Sequence, residues 1–272
     1  MNFNANKKYP FALLPLSAGC FALRFLQRKN ELLWDGSLAE GAYLHYILIA
    51  LCALALIGST VLLWTSSRHT SWRQFYNHKV MLVVLFGAAG TLLIGNTLLW
   101  ISGATPAAVY SAASPYFTAF LNKLLPPLGI VAAICIGLFA YRCHLNAKPS
   151  PLFYMCVSLY LVVRLIVCFQ AWNTDPSIHD YCFALLANIC TMLAAFHMAG
   201  FSFDKGKRRM TLFWLFSAFL FSFITIADAI YDGDLGELLI HLSLILITAV
   251  NSMQLIFSKE EEKEEEEEKE EA

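Results

Sequence analysis

Residues 210–257 read MTLFWLFSAFLFSFITIADAIYDGDLGELLIHLSLILITAVNSMQLIF. Two apolar runs, 210–231 and 236–257, are separated only by Asp232-Gly233-Asp234-Leu235. About 20 mostly apolar residues carry a helix across the hydrocarbon core of a bilayer, and Asp-Gly followed by Asp is turn chemistry. The stretch therefore predicts two antiparallel membrane-spanning helices joined by a tight turn.

Working outward, the same pattern recurs at 181–202, 151–172, 116–142, 79–102 and 42–64. An eighth run, 9–27, is apolar apart from Arg24 and Gln27, but Pro10, Pro15 and Gly19 weaken it as a helix. The expected fold is an all-α polytopic membrane bundle of eight helices over residues 1–258, with seven as the alternative.

Composition agrees. Of 272 residues, 58% are hydrophobic and 14% charged, against about 45–50% and 25% in soluble domains. The charge is concentrated in the tail Lys259–Ala272, which holds ten Glu and three Lys. The remaining sixteen Lys and Arg exceed ten Asp and Glu by six, with no long basic stripe, so nucleic acid is not an expected partner. The tail is low in complexity and cannot bury a core. It reads as a solvated arm, with a basic protein as its conceivable partner.

Lys and Arg in short loops set orientation. The loops 65–79, 142–149 and 203–209 are basic, while 103–115, 173–180 and 232–235 contain no Lys or Arg. Placing the basic loops in the cytoplasm puts the acidic tail there too, with the lipid bilayer of a plasma membrane as the chain's surroundings. If residues 9–27 span, Lys7 and Lys8 begin inside, and Arg24, Arg28 and Lys29 fall outside against the rule, offset by Glu31, Asp35 and Glu40. The seven-helix alternative has a route through cleavage, since Leu16-Ser17-Ala18-Gly19-Cys20 resembles a lipoprotein box. Trp64 and Trp214 at inner ends and Trp100 and Trp172 at outer ends fit an interfacial belt.

Eight cysteines show no C-x-x-C spacing and read as small packing residues. Sequence motifs for a zinc hydrolase, an α/β-hydrolase nucleophile or a phosphate loop are missing, so no cofactor is expected, and a membrane enzyme would need a nucleophile or metal that the sequence does not identify. His45 and His241 are the two histidines at similar depth that a haem would need. Gly87, Thr91 and Gly95, spaced by four, predict a close-packing helix face.

Ionisable and amide side chains inside spans are costly and mark function by default. Asn96, Lys123, Arg164, Asn188, Asp228 and His241 all lie within about 5–12 Å of the outer boundary at 1.5 Å per residue. They form a candidate pocket for a small molecule or ion, with Lys123 and Arg164 as cationic walls and Asp228 as counter-ion. The bland alternative pairs Arg164 with Asp228 and lets Lys123 snorkel outward. Asp228, Asp232, Glu237 and His241 also bracket the last turn at matched heights, a donor set suited to a divalent metal or proton relay. Against that, Asp234-Leu-Gly-Glu237 reads as a capping box.

The segment Leu14-Pro15-Leu16-Ser17-Ala18-Gly19-Cys20, continuing through Ala22-Leu23-Arg24-Phe25-Leu26-Gln27 to Asp35-Gly36-Ser37-Leu38, resembles the opening of uncharacterised multi-pass membrane proteins of Gram-positive anaerobic bacteria. The resemblance implies a bacterial plasma membrane and carries no function. Transport or ligand binding through the outer pocket is the leading expectation, and a regulatory or scaffolding membrane protein the other.

Overall fold

The structure is a computed structural model that describes residues 3–32, 38–64, 72, 75, 78–102, 115–172 and 178–257. The acidic tail and its expected roles lie outside the described residues. Among those described there are eight helices: α1 (Phe3–Asn30), α2 (Leu44–Trp64), α3 (Lys79–Ser102), α4 (Pro115–His144), α5 (Leu152–Trp172), α6 (Ile178–Phe201), α7 (Arg208–Asp232) and α8 (Leu235–Ile256). All but α1 are long and apolar enough to cross a membrane. The chain is thus a multi-pass membrane protein, and the helices fall within a few residues of the predicted spans. The run 9–27 lies within one unbroken helix, as the eight-helix reading expects.

Helices α3 to α8 form a closed ring, each packed on the next and α8 returning to α3. Helices α1 and α2 make an outer layer against α7. The ring has a turn end, marked by the α7–α8 connection, and a basic end, carrying Lys79 at the start of α3 and the described connections 145–151 and 202–207.

The α7–α8 turn is pinned by backbone chemistry. Gly233 adopts φ 71°, its N–H reaches Ile230 O and that of Asp234 reaches Ala229 O, a Schellman closure in which glycine carries no Cβ penalty. Asp234 then caps α8 by accepting from the Glu237 N–H at 3.0 Å. Only half of the expected capping box forms. The Asp234 N–H is spent on Ala229 O, which leaves the Glu237 carboxylate to point elsewhere.

Helices α3 and α8 approach closely. A Cβ on Gly95 would sit 3.0 Å from the Ile240 side chain and 3.1 Å from Gly236 O, and one on Gly236 would meet Leu99 at 2.7 Å. Ser243 Oγ reinforces the contact by donating to Ala88 O at 2.7 Å. The predicted Gly87–Thr91–Gly95 face is corrected: Gly87 is exposed with open space beside it. Spacing by four drifts about 40° per step around a helix, so three such residues do not share one narrow contact line.

Aromatic rings cluster at the basic end. Trp72 stacks on Phe75 with centroids 4.5 Å apart, Trp72 meets Phe139, Phe75 meets Phe201, and Phe139 meets Tyr154. Below them, the buried Arg208 donates to Ile256 O at 3.5 Å, a cation at the carbonyl end of α8. Lys148 and Asp204 tie two of the basic-end loops together.

Candidate functional site

On α8 the residues Glu237, His241, Leu244, Thr248, Asn251 and Leu255 recur at steps of four and three, which places them on one face. On α5 the residues Tyr154, Tyr160 and Arg164 are buried. The two helices are not neighbours in the ring, yet long α5 side chains cross its interior. Asn251 Nδ2 donates to Tyr154 Oη at 2.5 Å near the basic end. Tyr160 Oη donates to Asn96 Oδ1 of α3 at 3.1 Å at mid-height. Arg164 Nη2 pairs with Glu237 Oε2 at the turn end.

Each rung has local support. Asn96 Nδ2 donates to Leu92 O, which turns its oxygen towards Tyr160. The Asn96 side chain fills the space over Gly129 of α4, where a Cβ would fall 2.0 Å from it. Just before Gly129, Pro126 and Pro127 remove the helix bonds that would reach back to residues 122 and 123. At the turn end Asn188 of α6 accepts from Arg164 Nε at 3.1 Å. An arginine only donates, so the amide oxygen must face it and Asn188 Nδ2 is left over.

The turn-end cluster is therefore incomplete as a hydrogen-bonded set. Arg164 Nη1, Asn188 Nδ2, Glu237 Oε1 and both ring nitrogens of His241 are buried without a hydrogen-bond partner. His241 is 0% exposed, and its Nε2 stands 3.7 Å from Glu237 Oε2, beyond hydrogen-bonding distance. Leaving each such atom unsatisfied costs about 1–3 kcal/mol, so clusters of them demand an explanation. Glu237 is the member nearest water, with its side chain 20% exposed.

Three of the candidate pocket residues, Arg164, Asn188 and His241, meet here, and Asn96 lies one rung below. Lys123 does not join them: it is exposed, whereas Leu121 and Leu125 on either side of it in α4 are buried in the core. Asp228 does not join them either, and its expected pairing with Arg164 is replaced by one with α1. Arg24 Nε donates to Asp228 Oδ1 at 2.7 Å, and Arg28 Nη2 reaches both Asp232 oxygens at 2.6 Å. Arg28 Nε is 3.3 Å from Asp228 Oδ1. Helices α1 and α7 run parallel in register, so residues four apart on one meet residues four apart on the other.

That second cluster extends into α2. Arg24 Nη1 donates to Gln27 Oε1 at 3.1 Å, and Gln27 Nε2 lies 3.0 Å from His45 Nδ1. Glu31 accepts from the backbone N–H groups of Tyr43, Leu44 and His45, a carboxylate at the start of α2. His45 and His241 thus sit in different networks, one in the outer layer and one inside the ring, which leaves no facing pair for a haem.

The metal reading fails for the same geometric reason. Asp228 and Asp232 face α1 and are engaged by arginines, whereas Glu237 and His241 face the ring interior. Among the described residues no group of three or more His, Cys, Asp or Glu is placed to hold a metal ion. All eight cysteines are free thiols.

The residues that sequence reasoning missed are Tyr154 and Tyr160, and Glu237 as the partner of Arg164. A tyrosine carries no charge to flag it, and Glu237 already had a use as a cap. Arg24 did carry a signal: a buried cation on the wrong side for loop charge needs an acid beside it.

No family model matches the chain, and neither the curated proteins nor the solved structures include a match to it.

Proposed function

We propose that this protein binds, and moves across a bacterial plasma membrane, a small polar ligand held at the turn end of the ring by Arg164, Asn188, Glu237 and His241. The observation that carries the reading is the set of buried, unpartnered polar atoms on these four side chains. A purely structural ion pair is stabilised by completing its hydrogen bonds, and a half-completed one is costly. Inside a membrane protein such groups belong to ligand or ion pathways. Transport is supported by the further rungs Tyr160–Asn96 and Tyr154–Asn251, which continue the polar line along the ring axis towards the basic end.

By the loop-charge rule the basic end is cytoplasmic and the site lies towards the outside. The wrong-side arginines of α1 fit this orientation, because Asp228 and Asp232 neutralise them. A scaffold or regulatory protein has no use for unpartnered donors in a ring interior, which ranks that reading second.

The test is thermal unfolding of purified protein in detergent against a panel of sugars, carboxylates, amines and amino acids. A ligand that binds the folded state raises the midpoint in a concentration-dependent way. At least one class is expected to do so, with the shift lost in Arg164→Gln and retained in Lys123→Gln. A panel in which no solute moves the wild-type midpoint overturns the reading. Uptake of the stabilising solute into liposomes containing the protein then separates transport from binding.

A further inference from the structure

The unpartnered atoms specify more than polarity. Arg164 and Glu237 bring one cation and one carboxylate into the ring, and these balance each other. Arg164 uses Nε on Asn188 and Nη2 on Glu237, leaving Nη1. Glu237 uses Oε2, leaving Oε1. The two free atoms flank a single ion-pair bond, one a charged donor and the other a charged acceptor. Asn188 Nδ2 adds a second donor, and His241 adds one donor and one acceptor in its neutral form.

Resting on the ligand-binding reading above, we infer that the site takes a zwitterion with closely spaced charges, an α-amino acid. Its carboxylate would lie against Arg164 Nη1 and Asn188 Nδ2, and its ammonium against Glu237 Oε1. The argument is charge balance. A lone carboxylate or a lone amine adds a net charge to a buried, already balanced pair, and an uncompensated buried charge is strongly disfavoured. A neutral polyol adds none and can hydrogen-bond to both ions, but it offers Arg164 no carboxylate and Glu237 no ammonium, and so forgoes the attraction between opposite charges. A zwitterion adds no net charge and supplies both.

The probes are glycine, alanine, leucine and phenylalanine, which vary the side chain, set against acetate, methylamine and glycinamide, which carry one charge each. Detergent-purified wild-type protein is melted with each at the same concentration. At least one amino acid is expected to raise the midpoint, and acetate, methylamine and glycinamide to leave it unmoved. Glu237→Gln and Arg164→Gln are expected to lose the shift. Because the contrast among probes is read on the wild type, it stands even if a variant fails to fold.

Stabilisation by acetate alone overturns the inference in favour of an anion site. Stabilisation by methylamine or glycinamide overturns it in favour of a cation site. If all four amino acids fail while a sugar or another solute of the wider panel stabilises, the zwitterion is wrong and ligand binding survives. If nothing stabilises, both fall.

Discussion

Arg24 and Arg28 meet Asp228 and Asp232 between two parallel helices, whereas Arg164 meets Glu237 across the interior of a six-helix ring. Both sites lie at the turn end, and both bury guanidinium groups. The α1–α7 site is a ladder: two arginines a turn apart meet two aspartates a turn apart, and Asp232 is 51% exposed at its outer rung. It is braced by Arg24 over the Phe183 ring and Arg28 over that of Tyr231. The ring site has one pair and several unused buried atoms. The lesson is that a charge in a membrane helix is classified by what surrounds its pair. A ladder fixes the register of two helices and uses its charges on each other, while the ring pair leaves charged donors and acceptors unused beside it.

The largest expected effect falls on the ladder. Asp228→Leu leaves Arg24 buried without its carboxylate and should destabilise the protein by about 3–5 kcal/mol. The double variant Arg24→Met/Asp228→Leu should recover most of that loss. Equilibrium unfolding in mixed detergent micelles measures both, and a double variant as unstable as the single one would break the ladder interpretation.

A smaller loss is expected in the ring. Glu237→Gln strips Arg164 of its counter-ion, but Glu237 lies partly exposed to water, so about 1–3 kcal/mol is expected, the range for an unsatisfied buried group. A ligand that uses both side chains also predicts that Arg164→Gln/Glu237→Gln restores stability without restoring any ligand-induced shift. Recovery of the shift together with the stability would make the two sites alike.

Tyr160→Phe removes the bond to Asn96 and should cost about 0.6–2 kcal/mol, the range for interhelical hydrogen bonds in membranes. If the mid-height rung lies on a transport path, uptake should fall by more than the melting midpoint predicts. Lys123→Gln should change stability by less than about 0.5 kcal/mol and leave ligand shifts intact, since the residue is exposed. A marked loss of binding in that variant would return Lys123 to the site.

Much of this was legible beforehand. The α7–α8 hairpin followed from two apolar runs about a membrane thick and an Asp-Gly-Asp joint, and the Asp234 cap and Gly233 turn formed as the residues suggest. That Arg164, Asn188 and His241 belong to a polar group near one end was legible because ionisable and amide groups in spans are rare. Their partners were not. Depth along a helix is read from residue counting, and by depth alone Asp228 suits Arg164 as well as Glu237 does. Which of two acids at similar depth meets an arginine depends on how each helix is rotated about its axis, and that is settled by neighbours such as Gly95 and Gly236, which seat α8 against α3.

By itself, then, the sequence determined the number and limits of the apolar helices, the tight final turn, the uneven loop charge and the concentration of polar residues towards one end. These follow from local chemistry: length against bilayer thickness, turn residues, and the cost of charge in hydrocarbon. The tertiary structure alone decided that α3–α8 close into a ring and that Asp228 belongs to Arg24 and Glu237 to Arg164. It also left Lys123 exposed and, among the described residues, left five polar atoms of Arg164, Asn188, Glu237 and His241 unpartnered at the turn end. Those outcomes depend on helix rotation and on long side chains crossing an interior, and both are set by packing between segments far apart in the chain.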